Sequence, residues 1–258
     1  AATAALGSVF TTGAQSVTGT AITLNGPTYQ VTTAAAAVSY TGAVGLGGPV
    51  GVTTNNGNIS FSSTINGAQT LSLAAGTGAV TVTGVVGTSA VSANRLSSFT
   101  VVSAASAALS SVFTSGVQSV TGTAITLNGP TYQATTAAAG ISYTGAVGLG
   151  GPVGVTTNDG AVSFSSTINN AQALTVAAGA GAVSLSGVVG GTAALSSLTV
   201  GGATITTAGI GGGAAGVSGA TGLTATTSIT FSGTTYNANA QSYDAGAAGN
   251  NLNMSAGA

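Results

Sequence analysis

Charged and chemically reactive side chains are almost absent from this sequence. Its 258 residues include one Arg and two Asp, and there is no Lys, Glu, His, Cys or Trp. Without Cys, neither disulfides nor thiolate metal ligands can form. Without His, Lys or clustered carboxylates, no side chain is available to activate a serine or to carry out paired acid–base chemistry. The composition therefore predicts a protein that is not an enzyme and that holds no metal or other cofactor.

The lack of charge also limits the kinds of partner. A net charge of −1 at pH 7 gives no field that would attract nucleic acid or a charged membrane surface. Small and polar residues interrupt every apolar run before the ~18 residues that a membrane-spanning helix needs, so no such segment is expected. Disordered chains are usually rich in charge, whereas here 44% of the residues are hydrophobic and 1% are charged. We therefore expect an ordered chain with no nucleic-acid partner.

What the sequence does contain is repetition. The phrase QSVTGTAITLNGPTYQ occupies residues 15–30 and returns unchanged at 118–133, and SYTGAVGLGGPVGVTTN at 39–55 returns at 142–158. The first two copies cover 1–103 and 104–202, and a partial, degenerate third copy covers 203–258. Because half of a closed domain would leave its core half built, the copies predict one continuous stack of repeats.

Shorter phrases recur inside each copy and predict the fold. ITLNG, VSYTG, ISFSS and VTVTG begin at Ile22, Val38, Ile59 and Val80, at spacings of 16, 21 and 21 residues. Each alternates apolar residues with Ser, Thr or Asn, which is the two-residue period of a strand with one buried face. Asn-Gly pairs between the phrases predict tight corners with positive φ. The pattern favours an all-β parallel β-helix, or β-solenoid, of about twelve coils.

Two other interpretations of the alternation are weaker. A membrane β-barrel would have aromatic girdles and long polar loops, and the sequence has no Trp. An ice-binding face would need threonines in every coil, but Thr81 and Thr83 of the first copy become Ser184 and Ser186 in the second.

The wording of the repeats is similar to that of a known class of protein. NISFSSTINGAQTLSLAAGTGAVTVTGVVG, from Asn58, and GGTAALSSLTVGGATITTAG, from Gly190, resemble the repetitive regions of large bacterial surface exoproteins of the filamentous-haemagglutinin and autotransporter-adhesin type. The resemblance spans most of the chain. It implies a right-handed parallel β-helix that is exported to the cell surface or the extracellular space and serves as an adhesin or a fibre.

Few residues are candidates for a site. The two carboxylates, Asp159 and Asp244, are far apart in sequence, and Asp159 stands where the first copy has Asn56, which favours a role in a turn. Arg95 is the one cation and lies in a four-residue excess of the first copy, a position typical of a solvated bulge. The six tyrosines occupy repeat-equivalent places, which suggests stacked ladders, so we take them with Arg95 as candidate subunit or ligand contacts: Tyr29, Tyr40, Tyr132, Tyr143, Tyr236 and Tyr243.

Two functions remain to be compared. The regularity of the repeats favours a structural extracellular fibre or surface-coat protein, whose partner is a second copy of itself stacked head to tail. The alternative is a passenger fragment of a bacterial adhesin that binds a surface glycan or a host surface.

Overall fold

The chain folds as a β-solenoid. In a computed structural model, residues 2–88, 91–214, 216–246 and 251–254 are described. Parallel stacked strands form a β-solenoid of about 11 turns, which confirms the predicted fold class and is close to the twelve coils expected. The helical element among the described residues is one 3₁₀ turn, Ser92–Asn94. No helix in this part of the chain is long and apolar enough to cross a membrane.

The chain divides into two compact units, residues 1–129 and 130–258, which we call unit 1 and unit 2. The strands of unit 1 are β1 Thr3–Leu6, β2 Val9–Thr11, β3 Gln15–Leu24, β4 Thr28–Ala34, β5 Val38–Leu46, β6 Val50–Asn55, β7 Ile59–Phe61, β8 Ile65–Asn66, β9 Thr70–Ala74, β10 Ala79–Val82, β11 Ser98–Ser103, β12 Ser106–Leu109, β13 Val112–Thr114 and β14 Gln118–Leu127. The strands of unit 2 are β15 Thr131–Ala134, β16 Ile141–Leu149, β17 Val153–Thr157, β18 Val162–Phe164, β19 Ile168–Asn169, β20 Ala173–Ala177, β21 Val183–Val189, β22 Ser197–Ile210, β23 Val217–Phe231, β24 Ala238–Asp244 and β25 Asn251–Met254.

In unit 1 the strands stack in three columns, each held together by parallel pairing. The first column contains β1, the second halves of β3 and β5, and β8, and bridges through Val86 extend it to β13. The second contains β2, β4, β6, β9, β11 and the first half of β14. The third contains the first halves of β3 and β5, then β7, β10, β12 and the second half of β14.

Unit 2 has three columns of its own. Its first contains β15, β17, β20, the first halves of β22 and β23, and β24. Its second contains the first half of β16, then β18, β21, the second halves of β22 and β23, and β25. Its third contains the second half of β16, β19 and the end of β21, and is extended through Ile210 to Tyr236.

Alternation along the strands places the core on the inside of each unit. Inward side chains such as Leu24, Val52 and Ile59 are buried and stack on other apolar side chains in register, while Ser and Thr between them face outward. Each inward residue therefore packs above and below against residues of the same kind, which is how small hydrophobic side chains alone fill the core.

One spacing in the sequence does not correspond to a coil. Val38, Ile59 and Val80 lie in one column and follow one another at 21 residues, as expected. Ile22, however, lies in the first column, and the residue below Val38 is Gln15. The 16-residue spacing between Ile22 and Val38 therefore joins two different columns, because a phrase of the same composition can occupy any of the three.

The repeat itself changes column from one copy to the next. In unit 1, Gln15 pairs with Val38 in the third column, whereas its equivalent Gln118 pairs with Phe99 in the second. The copies are 103 residues apart, which is not a whole number of coils of about 21 residues, so the second copy starts one column early. We call this the column shift.

Unit 2 shows the same column shift independently. Tyr143 pairs with Phe164 in its second column, whereas the repeat-equivalent Tyr243 pairs with Leu223 in its first. Tyr132 lies in the first column, and its equivalent Tyr236 lies in the third. Equivalent positions in successive copies therefore face different sides of a unit.

The predicted corners are confirmed in part. Asn56 and Asp159, which are repeat-equivalent, both adopt positive φ, at 63° and 61°. Gly67 also has a positive φ, 122°. Gly26 does not, and it is needed for another reason, because a Cβ there would lie 2.0 Å from the backbone nitrogen of Ser8 in the preceding coil.

Deleting residues 59–79 should remove one complete coil of unit 1 and leave a folded protein. Val80 would then stack on Val38 in the place of Ile59, since the three residues share a column. We expect a β-type circular dichroism spectrum and cooperative unfolding, because each coil contacts mainly its neighbours.

The control is a deletion one residue longer, 59–80, which puts Thr81 in the inward place of Ile59 and reverses every following side chain in the strand. The longer deletion should abolish the cooperative transition of unit 1. Equal unfolding curves for the two deletions would contradict the columns described above.

Candidate functional site

Four of the six tyrosines are not on the surface. Tyr29, Tyr40, Tyr132 and Tyr143 are 0–1% exposed. They lie at inward positions of their strands, so the interpretation of these four as subunit or ligand contacts at the surface is wrong, and packing explains their place in the repeat. Tyr236 and Tyr243 are half-buried, and a contact role for these two stays a prediction.

The tyrosines form three aromatic clusters with phenylalanines. In unit 1, the Tyr29 and Tyr40 rings meet edge to face with centroids 6.3 Å apart, and Tyr40 stacks on Phe61 at 4.9 Å. Unit 2 repeats this arrangement, and it also contains a cluster in which Phe231 lies between two tyrosines. Its members are Tyr132, Tyr143 and Phe164 in the first and Phe231, Tyr236 and Tyr243 in the second.

The expected ladder of tyrosine on tyrosine does not form within either unit. In register, Tyr40 lies between Val17 and Phe61, and Tyr143 has Phe164 as its next neighbour in the column. The column shift is the reason, since it moves the equivalent tyrosine of the next copy to another side of the core. Edge-to-face and offset contacts of this kind stabilise a core by about 0.5–1.5 kcal/mol beyond area burial.

The hydroxyl of Tyr29 fastens a corner to the coil below it. It donates a hydrogen bond to the Leu6 carbonyl at 2.9 Å and accepts one from the Gly26 backbone nitrogen at 3.2 Å. In unit 2, Tyr236 makes the same pair of bonds, to the Thr207 carbonyl at 2.9 Å and from the Gly233 nitrogen at 2.8 Å. The recurring phrase Gly-x-Thr-Tyr therefore marks a corner closed by its own phenol.

The hydroxyls of Tyr40 and Tyr143 behave differently. Both are buried, and neither has a hydrogen-bond partner among the described residues. A buried polar atom without a partner costs free energy, of the order of 1–3 kcal/mol. The ring, and not the hydroxyl, is what these two positions contribute to stability.

Burial also changes the acidity of the tyrosines. Desolvation, with a smaller contribution from the nearby Tyr29, raises the pKa of Tyr40 far above its ordinary value. Desolvation likewise raises the pKa of Tyr143, with Tyr132 adding to the effect, and it raises the pKa of Tyr29 against the opposing effect of the backbone bonds from Gly26 and Asn25. The phenols therefore stay neutral in the folded protein well beyond the pH at which free tyrosine ionises.

Two glutamines point into the core, and the sequence interpretation missed them. Gln15 is 7% exposed, and its Nε2 donates to the Val9 carbonyl at 3.2 Å and to the Gln30 carbonyl at 2.8 Å, so one amide joins neighbouring coils. Gln118, its equivalent, is also buried and donates to the Val112 carbonyl at 3.1 Å. Their position in phase with the inward apolar residues was the available signal.

Asn56 and Asp159 fasten the corners of successive coils. The Asn56 Oδ1 accepts a hydrogen bond from the Thr77 backbone nitrogen at 2.9 Å, and the Asp159 Oδ1 accepts one from the Ala180 nitrogen at 2.7 Å. Both side chains are exposed, and each reaches 21 residues along the chain. The role in a turn that the sequence favoured for Asp159 is confirmed.

Arg95 follows the 3₁₀ turn of the insertion in unit 1. It is half-buried, and its Nε donates to the Thr88 carbonyl at 3.2 Å. The next residue, Leu96, is completely buried and bridges to Thr114 in the coil above. Arg95 is therefore tied to its own loop, and a contact from it to a glycan or a subunit stays a prediction.

The outer surfaces are regular and neutral. Along the third column of unit 1, the outward residues in register are small and uncharged: Ser16, Ser39, Ser60, Thr81, Ala108 and Thr126. A shallow, open groove of about 270 Å³ on unit 2 is lined by Ala177, Gly179, Gly201, Gly202, Thr224 and Thr226. No cluster of three or more potential metal ligands occurs among the described residues.

No family model, curated protein or solved structure matches this chain.

The tyrosine hydroxyls allow a matched pair of substitutions. Tyr29→Phe should destabilise the protein by about 1–3 kcal/mol, because it leaves the Leu6 carbonyl and the Gly26 nitrogen without a partner. Tyr40→Phe should be neutral or stabilise by about 1 kcal/mol, because the atom removed has no partner among the described residues. Chemical denaturation of both variants measures the difference, and an equal loss in both would contradict the assignment.

Stability should fall at alkaline pH. A phenol whose pKa is raised in the folded state keeps its proton while the unfolded chain releases it, so the stabilisation is complete below the ordinary pKa of about 10 and is lost as pH rises beyond it. Denaturation midpoints measured against pH, with tyrosinate absorbance as a second signal, check this expectation. The double variant Tyr40→Phe, Tyr143→Phe should lose less stability above pH ~10 and behave like the parent below it.

Proposed function

We propose that the protein is a structural component of an extracellular fibre or surface coat and that it assembles by end-to-end stacking of β-solenoid units. The observation that carries the proposal is the state of the strand edges at the first coil of unit 1 and the last coil of unit 2.

At the first coil, β1 and β2 pair with β3 and β4 on one side and with no other strand among the described residues. Their inward side chains Leu6 and Val9 are half-buried, whereas Leu24 and Tyr29, one coil further in, are completely buried. The edge therefore presents unpaired backbone groups together with core side chains, the combination that attracts another strand.

The last described coil of unit 2 has the same character. β24 and β25 both pair with β23 and with no further strand in the described ranges. Leu252 continues the inward row of Ile229, yet it is 51% exposed while Ile229 is 0% exposed. A further coil laid on this edge would bury Leu252 and pair the free backbone groups.

The two edges differ, so a contact between them is heterologous and does not close into a dimer. A net charge of −1 leaves little repulsion between copies. The extracellular location is part of the proposal and is supported by the resemblance to bacterial surface exoproteins. If the chain is instead a fragment of a longer adhesin, the same edges are internal to one covalent stack.

The isolated chain should form filaments whose length increases with concentration, as measured by light scattering and negative-stain electron microscopy. Leu252→Arg should shorten or abolish them, because it places a charge on the edge that is buried in the contact.

The matched control is Ser163→Arg, on the outward face of β18, which should leave filament length unchanged. A monodisperse monomer over a wide range of concentration would sink the fibre proposal and favour the adhesin fragment.

A further inference from the structure

Four asparagine–glycine steps occur in this sequence, at Asn25, Asn56, Asn66 and Asn128. Such a step is chemically labile, because glycine has no side chain to shield its backbone nitrogen. That nitrogen attacks the asparagine Cγ, the Cγ–Nδ2 bond breaks, and ammonia leaves with the proton of the attacking nitrogen. Water then opens the resulting succinimide to Asp or to isoAsp, so the net reaction consumes one water and releases one ammonia.

At Asn25-Gly26 the attacking nitrogen is held. The Gly26 N–H donates to the Tyr29 hydroxyl at 3.2 Å, and that hydroxyl in turn donates to the Leu6 carbonyl at 2.9 Å. Gly26 is buried, with the Ser8 backbone of the preceding coil lying against it. Attack on Cγ would require the nitrogen to give up its bond and the peptide to rotate into space that Ser8 occupies.

At Asn56-Gly57 the group under attack is held instead. The Asn56 Oδ1 accepts a hydrogen bond from the Thr77 N–H at 2.9 Å, and the Gly57 carbonyl accepts one from the Thr54 hydroxyl at 2.6 Å. A Cβ on Gly57 would lie 1.9 Å from the Ala36 carbonyl oxygen, so the backbone has no room to turn.

We propose that the coil corners protect Asn25-Gly26 and Asn56-Gly57 from spontaneous deamidation, with the Tyr29 hydroxyl as the protecting group at the first and the Thr77 backbone N–H at the second. The two locks are independent, because they hold different atoms in different coils. The proposal stands whether or not the protein forms fibres, since it depends on geometry within unit 1.

The second copy shows what the corner can accept. Asp159-Gly160 replaces Asn56-Gly57, and Asp159 keeps the positive φ and the bond from the next coil. A carboxylate therefore fits this corner. An isoAsp does not, because it adds a backbone atom to a coil whose parallel register repeats residue for residue.

The test compares deamidation site by site in aged protein. Folded wild type, the Tyr29→Phe variant and denaturant-unfolded protein are incubated at mildly alkaline pH, digested, and analysed by mass spectrometry for conversion at Asn25 and Asn56. We expect rapid conversion at both sites in the unfolded sample and slow conversion in the folded one. Tyr29→Phe should raise the rate at Asn25 about fivefold, equivalent to roughly 1 kcal/mol for the lost bond, and leave Asn56 unchanged.

Two further variants separate protection from general loosening. Tyr40→Phe lies in the same aromatic cluster, contacts neither Asn-Gly step through its hydroxyl, and should leave both rates at the wild-type level. Thr77→Pro removes the N–H that holds Asn56, and should raise the rate there alone.

Three outcomes would overturn the proposal. The first is equal rates in folded and unfolded wild type, and this comparison holds even if a variant fails to fold. The second is an unchanged rate at Asn25 in folded Tyr29→Phe. The third is a joint rise at Asn25 and Asn56 in either single variant, which would indicate global opening and not a local lock.

Discussion

Parallel backbone pairing between successive coils, in one constant register, is the constraint on which the rest of this structure depends. An inward residue must lie above another inward residue, so every coil needs nearly the same set of shapes as the coil below it. Ser, Thr, Gly, Ala and Val meet this need without charge. A large side chain is accommodated only where its column neighbour is complementary, as Tyr40 is by Phe61.

The same constraint decides which polar groups are tolerated inside. A buried hydrogen-bonding group has to find its partner within its own coil or the adjacent ones, since no other backbone is in reach. Tyr29 and Gln15 meet this requirement by bonding backbone atoms of neighbouring coils. Tyr40, whose ring packs well, leaves its hydroxyl without a partner among the described residues, which shows that ring packing takes precedence at that position.

Local features of this fold could be predicted from the sequence, and cumulative ones could not. Alternation predicted the strands because it is set by neighbouring residues, and the turn at Asn56 followed from its tolerance of positive φ. The column of Gln118 depends on the summed lengths of all preceding coils, which no single phrase records. The tyrosines were misjudged for a different reason. Repeat equivalence does not distinguish inside from outside, although Tyr29 is in phase with the inward Val31.

The column shift has a consequence for how such a gene can grow. If a duplicated segment had to restore the same face, only lengths equal to whole coils would fold. Here the identical phrase is accepted at Gln15 and at Gln118 on different sides of unit 1, so a length that differs by one column is also accepted. The permitted duplications are then about three times as frequent along the DNA, and slippage between repeats can lengthen the protein without first solving a phasing problem.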